Sequence, residues 1–208
     1  MKHSLFILLT CIAIQAAGQT IDTVIHTPIY TSYFCNKYHE PLFVVYKLYK
    51  GGGNVPRTGM TFKTGGLQSS ATAGDYAGNG FDEGHLCPAQ DEAFDRVKEE
   101  QTFRFYNCLP QTPRLNRGIW KTLETQVRKE SQTDSLLIVC GGIFGMKRIG
   151  VIYVPDFCYK AVYSLKTGKL LHCVLFPNDN SDTSTPVSVD ELRKKLNYSN
   201  PLLLEVLK

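Results

Sequence analysis

Within GNGFDEGHLCP, residues 78–88, the only histidine is His85, set directly after Asp82, Glu83 and Gly84. An imidazole is neutral over much of the physiological range and can take a proton from water, so it suits a general base. Further along, TPRLNRGIWKTLE carries Asn116 and Glu124. On one continuous helix these two would lie within about 80° around the axis and roughly 12 Å apart along it. An amide oxygen such as that of Asn116 suits a hard cation like Mg²⁺, which keeps most of its waters and takes one or two protein ligands. Arg114, Arg117 and Lys121 share that segment, and Arg104 lies just before it. A base, a hard-metal ligand and cations together describe phosphodiester hydrolysis, in which the metal screens charge on the phosphate and the leaving oxygen. Taken singly, each residue also has a plain reading: a loop histidine, a polar helix start, a solvated glutamate.

The elements that must position these groups follow from local pattern. PLFVVYKLY, residues 41–49, reads as a buried strand rich in β-branched and aromatic residues. A long Gly/Ser/Thr-rich loop from Gly51 to Gly80 follows, with Arg57 and Lys63 inside it. Loops of that length are commonly functional or disordered. Residues 91–101 read as helix and TFRFYNCL as strand. Thr112 is a good helix N-cap and Pro113 a good first helical residue. Leu115, Ile119, Leu123 and Val127 then recur every four residues beside Trp120, an apolar stripe at helical spacing. SLLIVCGGIF, GVIYVPDFCYKAVYSL and KLLHCVLFP read as strands, the last two joined by a tight turn at KTGK. Ser188 and Glu191 form a capping box for VDELRKKL. The mixture predicts an α+β domain built on an antiparallel sheet.

The chain of 208 residues is long enough for one domain with a sizeable core. Its formal charge of +4 permits a polyanionic partner without requiring one. A basic start, an apolar run from Leu5 to Ile14 and small residues at Ala16 and Gly18 read as a secretory leader over residues 1–18, leaving 19–208 as the domain. That places the protein in the periplasm or outside the cell, with lipidation at Cys11 as the alternative. The run is short for a membrane span. Six further cysteines, Cys35, Cys87, Cys108, Cys140, Cys158 and Cys173, predict up to three disulfides in an exported chain. No CxxC pair occurs, which argues against a zinc ribbon or a thioredoxin-like site.

DYAGNGFDEGHLCPAQD followed by TFRFYNCLPQTPRLNRGIWKTLE resembles the DNA/RNA non-specific endonuclease family. That family carries D-R-G-H, then N-x-x-P-Q and N-x-x-x-W-x-x-L-E, and this chain matches nearly all of it in order from Asp75 to Glu124. Weaker similarity extends from about Tyr30 to about Asn178. The resemblance implies a ββα-metal (His-Me finger) fold and cleavage of DNA and RNA with little sequence preference, since backbone contacts carry no sequence information. It puts His85 at the general base, Asn116 at the single protein ligand of Mg²⁺ (with Mn²⁺ as the alternative), and Glu124 at a glutamate acting on the metal's water shell. Asp82, Glu83, Asn107 and Gln111 are expected to support the site, and Arg57, Arg104 and Arg117 to meet phosphate, with Lys63 competing for the role of Arg57. Glu83 departs from the family's arginine and brings repulsion beside an anionic substrate. Three readings follow: other arginines supply the charge; Glu83 contacts a metal-bound water or pairs with Arg117; or the site is impaired and the chain is a nucleic-acid-binding relic. A phosphodiesterase for another substrate is a further alternative. The oligomeric state, a homodimer included, is left open.

Overall fold

The computed structural model describes residues 19–196; the expected leader, Cys11 included, lies outside the described residues. In chain order the elements are β1 (Thr23–His26), β2 (Tyr30–Cys35), β3 (Glu40–Leu48), the single turn α1 (Ala73–Tyr76), β4 (Asp82–His85), α2 (Arg96–Thr102), β5 (Cys108–Gln111), α3 (Pro113–Leu115), α4 (Lys121–Glu130), β6 (Leu136–Ile149), β7 (Ile152–Ser164), β8 (Leu170–Pro177), β9 (Thr185–Pro186) and α5 (Val189–Leu196). Short 3₁₀ turns occupy Ala89–Glu92 and Phe105–Asn107. Seven strands form one antiparallel sheet in the order β1-β2-β3-β6-β7-β8-β9. β4 and β5 pair antiparallel as a separate two-stranded unit, and the chain runs from β5 straight into the helical segment. That unit is the ββα element implied by the motifs.

The helical stripe works as the spacing predicts. Leu115, Trp120, Leu123 and Val127 are buried in the main core with Val44 and Leu48 of β3, Ile138 of β6 and Phe176 of β8. Trp120 meets Phe176 edge-on at 5.3 Å between ring centroids. Burial of that many large apolar side chains is the main force clamping the helix to the sheet.

Three local expectations are corrected. The helix from Pro113 is not continuous: residues Asn116–Trp120 form a wide π-type turn, and Gly118 leaves helical geometry at φ −99°, ψ −115°. Asp182 explains the break, because its carboxylate takes the amide proton of Ile119 (3.0 Å) and occupies the space into which a side chain at 118 would point. TFRFYNCL is strand only from Cys108 onward, because the buried Asn107 side chain bonds the backbone of Cys87 and Thr102 and so holds a turn. The helix expected over residues 91–101 begins only at Arg96, where the Asp95 side chain accepts from the amides of Val97 and Lys98 as N-cap.

The disulfide expectation is also corrected. All six cysteines of the described residues are buried free thiols. Cys140 faces Lys160 across the β6–β7 ladder while Cys158 faces Gly142. The two are therefore diagonal neighbours, at roughly 7–8 Å, beyond the reach of a bridge. Each sulfur has another neighbour: Cys140 lies 3.2 Å from the Leu86 carbonyl, and Cys158 accepts from Gln111 Nε2 at 3.4 Å. Burial pushes both thiols up to about 12, leaving them unreactive.

Candidate active site

His85 closes β4, directly opposite Cys108 of β5. Its ring is walled by Phe62 at 4.7 Å and Phe103 at 4.9 Å between centroids, and its carbonyl accepts the indole N–H of Trp120 at 3.3 Å. Nε2 is shielded from solvent and has no hydrogen-bond partner among the described residues. An unsatisfied buried nitrogen calls for an explanation, and a catalytic role or a bound water supplies one. Burial, then the nearby Arg57 guanidinium, hold the imidazole down to about 3, so it is an unprotonated acceptor at neutral pH. Gly84 is required next to it, because a side chain there would run into the buried Gln111 side chain.

Asn116 is oriented from β4. Its Nδ2 donates to Asp82 Oδ2 at 2.9 Å. That donation turns Oδ1 away from Asp82 and leaves it as the amide's available metal ligand. Arg117 grips the same carboxylate through two bonds, Nε to Oδ2 at 2.8 Å and an Nη to Oδ1 at 2.6 Å. Burial pushes the Asp82 carboxyl up, but the Arg117 and Asn116 bonds outweigh it and hold it below the usual carboxylate range. Arg117 thus pairs with Asp82, so the Arg117–Glu83 pair, one of the alternatives for Glu83, is not formed. Because Asp82 fixes the amide, Asp82→Ala should weaken binding of Mg²⁺ about 10- to 100-fold, measured by isothermal titration calorimetry.

Glu124 occupies the first turn of α4, where its side chain is 12% exposed. Its Oε1 lies 3.8 Å from the ammonium of Lys160, which is 1% exposed in mid-β7. Lys160 also sits 4.3 Å over the Trp120 ring. One turn on from Glu124, Arg128 pairs with the buried Asp91 at 2.9 Å, and Tyr46 donates to the other Asp91 oxygen at 3.3 Å. Burial pushes the Glu124 carboxyl up to about 7, against the pull of Lys160 and Arg128.

These groups converge on a cleft of about 340 Å³, into which Arg57, His85, Asn116, Arg117, Glu124 and Arg128 all open. Arg57 is held there by Glu99 at 2.9 Å and Gln90 at 3.2 Å, which places the expected phosphate contact beside His85. Its competitor Lys63 instead pairs with Glu100 at 2.9 Å and does not line the cleft. Arg104 is likewise not brought in: its guanidinium binds the carbonyls of Glu100 and Phe103. Asn107 and Gln111 are fully buried behind the site, the first tying Cys87 to Thr102 and the second packed under Gly84. Glu83 lies on β4 opposite Pro110, outside the cleft lining. Asp91, Arg128 and Lys160 were missed at the level of sequence. Arg128 lies at i+4 from Glu124, so it shares a helix face with it. Lys160 stands between Cys158 and Val162 on the alternation of a buried strand, a charge where an apolar residue is expected.

The donor set is compatible with one lightly ligated hard cation. Among the described residues no group of three or more His, Cys, Asp or Glu side chains could cage an ion. A single amide oxygen facing a polar cleft matches a metal that retains its waters.

The family model for the DNA/RNA non-specific endonuclease matches residues 10–202. A nuclease from Nostoc sp. is 36% identical over 140 residues, covering 59% of this chain and 51% of the relative. Mitochondrial endonuclease G of Bos taurus is 39% identical over 72 residues, covering 35% of this chain and 24% of the relative. The chain thus spans about half or less of these curated relatives. A solved chain from the EndoG/EndoGI complex superposes with TM-score 0.72 at 21% identity, covering 86% of this chain and 85% of that one, which shows a shared fold. With the ββα unit, the three motif residues in one cleft and a family match across most of its length, this chain belongs to the DNA/RNA non-specific endonuclease family.

Proposed function

We propose that this chain is a metal-dependent endonuclease that hydrolyses phosphodiester bonds of DNA and RNA, acting outside the cytoplasm. The observation that carries this reading is the cleft itself: an unprotonated imidazole and an Asn116 oxygen open into one pocket lined by Arg57, Arg117, Lys121 and Arg128. The leader-like residues 1–18 support the location.

His85 takes the proton from the attacking water at an imidazole nitrogen. Arg57 and Arg128, each anchored by a buried carboxylate, present fixed positive charge to the phosphate. Asn116 Oδ1 would hold the divalent cation, which supplies Lewis-acid screening of phosphate and leaving-group charge when bound. Glu124 faces the same space from α4 as an acceptor for water protons. Contacts of this kind read backbone rather than base, so little sequence preference is expected. Glu83 is the one observation that favours a second reading, an impaired site that binds nucleic acid without cutting it. A supercoiled-plasmid and single-stranded RNA cleavage assay with Mg²⁺, Mn²⁺ or EDTA decides between them. Metal-dependent cleavage of both establishes the enzyme; salt-sensitive retention without cleavage establishes the binder.

The buried imidazole gives a direct pH prediction. In the metal-free protein, proton uptake by His85 followed by ¹⁵N NMR should have its midpoint far below the ordinary 6.5, near 3. The unfolded imidazole accepts a proton near 6.5 that the folded one refuses, so this residue favours unfolding progressively as pH falls from 6.5 toward 3. A midpoint close to 6.5 would mean that water in the cleft, into which this partly buried ring opens, keeps it hydrated.

A further inference from the structure

Lys160 is the charge for which the active-site roles above have no use. It lies in the middle of the sheet, paired with Cys140 on β6 and Val174 on β8, and is 1% exposed. A desolvated ammonium is costly unless it is well paired and hydrogen-bonded. Here Nζ has no hydrogen-bond partner among the described residues. Its two close neighbours are Glu124 Oε1 at 3.8 Å and the Trp120 ring at 4.3 Å. Asp91, the other buried carboxylate of the cluster, is already matched by Arg128 and Tyr46. A methionine would fill the same space without the desolvation cost, so packing does not account for the charge. Both of its neighbours belong to the catalytic apparatus: Glu124 lines the cleft, and the Trp120 indole N–H binds the His85 carbonyl.

We propose that Lys160 is a positioning residue for the hydrolysis: its buried ammonium keeps Glu124 a cleft-facing carboxylate and, through the face of Trp120, steadies the strand end that carries His85. This rests on the endonuclease reading above. The groups facing Glu124 are Lys160 from β7, Asp91 from the turn after β4, Arg128 from α4 and the Trp120 indole, with Tyr46 of β3 and Cys140 of β6 behind them. Among these the cations are Lys160 and Arg128, and Arg128 is already engaged by Asp91. Lys160 is therefore the cation whose ion pair with Glu124 is not shared with a closer carboxylate, although its field also reaches Asp91.

The test compares wild type, Lys160→Met, Lys160→Arg, Glu124→Gln and the Lys160→Met/Glu124→Gln double variant. In the metal-free proteins, infrared spectroscopy follows the carboxyl band, with Glu124→Gln as the blank. Lys160→Met should move the Glu124 midpoint upward by about one pH unit or more, a tenfold gain in proton affinity. With Mg²⁺ and plasmid, Lys160→Met should lose about five- to tenfold in kcat at pH 7, the fall in carboxylate fraction that such a shift from about 7 produces, with KM little changed. It should recover part of the loss at pH 9. Lys160→Arg should restore most of the activity. Lys160→Met should add little to Glu124→Gln, since both act on one group. An unmoved Glu124 midpoint, a loss equal at every pH, or full additivity in the double variant would overturn the proposal. If Lys160→Met fails to fold by near-ultraviolet circular dichroism, Lys160→Gln takes its place in the infrared titration. A wild type that does not cleave would overturn the endonuclease reading, while the infrared arm still decides the role of Lys160.

Discussion

Replacing His85 with alanine is expected to cut the cleavage rate about 10²- to 10⁴-fold, the range a positioned general base contributes. The protein should remain folded, because the clamp that holds β4 at this point is the backbone ladder to β5 and the His85 carbonyl bond to Trp120. Neither involves the imidazole. Truncation leaves a space the size of the removed imidazole between Phe62 and Phe103, so partial rescue by millimolar imidazole is expected. His85→Gln, which fills the space without a strong base, should be as inactive as His85→Ala. The measurement is the supercoiled-plasmid assay with Mg²⁺, together with far-ultraviolet circular dichroism on each variant. A folded His85→Ala protein that nicks plasmid at the wild-type rate would remove the imidazole from the mechanism.

Trp120→Ala should produce the largest loss of stability. The side chain is completely buried, contacts Phe176 edge-on, lies under the Lys160 ammonium and supplies the N–H that pins His85. Truncating a buried tryptophan costs about 3–5 kcal/mol, and in a chain of this size each kcal/mol lowers Tm by roughly 2–4 °C. The expected fall is therefore on the order of 10 °C, read by urea titration and thermal melting. Trp120→Phe keeps most of the apolar contact and loses the hydrogen bond, so its cost should be about 1 kcal/mol, with a disproportionate loss of activity because the His85 strand end is released. A Trp120→Ala protein as stable as wild type would show that the helix is not clamped through this residue.

Much of the site was legible before any coordinates. His85, Asn116 and Glu124 share one cleft, and Arg57 and Arg117 line it. What the residues alone did not reveal depends on contacts between distant segments. The helix break at Gly118 is set by Asp182, far along the chain, and no periodicity within 113–127 encodes it. Arg104 differs from Arg57 only in its partners: Arg57 is aimed at the cleft by buried Glu99, whereas backbone carbonyls capture Arg104. Lys160 has no role within its own apolar run, because its partner Glu124 lies on the helix packed above it. The edge strands β1 and β2 lie outside the segments read as strands; β1 pairs with β2 and β2 with β3. The disulfide expectation came from export and an even cysteine count, neither of which fixes the register that separates Cys140 from Cys158.

The six sealed thiols of the described residues have a consequence for handling and for the extracytoplasmic setting proposed above. The native chain needs no oxidant to form and offers a reductant nothing to cleave, so dithiothreitol should leave its activity untouched. The hazard lies in the unfolded chain, where all six sulfurs become available at once for mispairing with one another. Heat inactivation in air should therefore become irreversible as wrong bridges accumulate, while the same cycle under reductant should return active protein. In an oxidising medium, durability is a matter of staying folded: one excursion is enough to trap the chain.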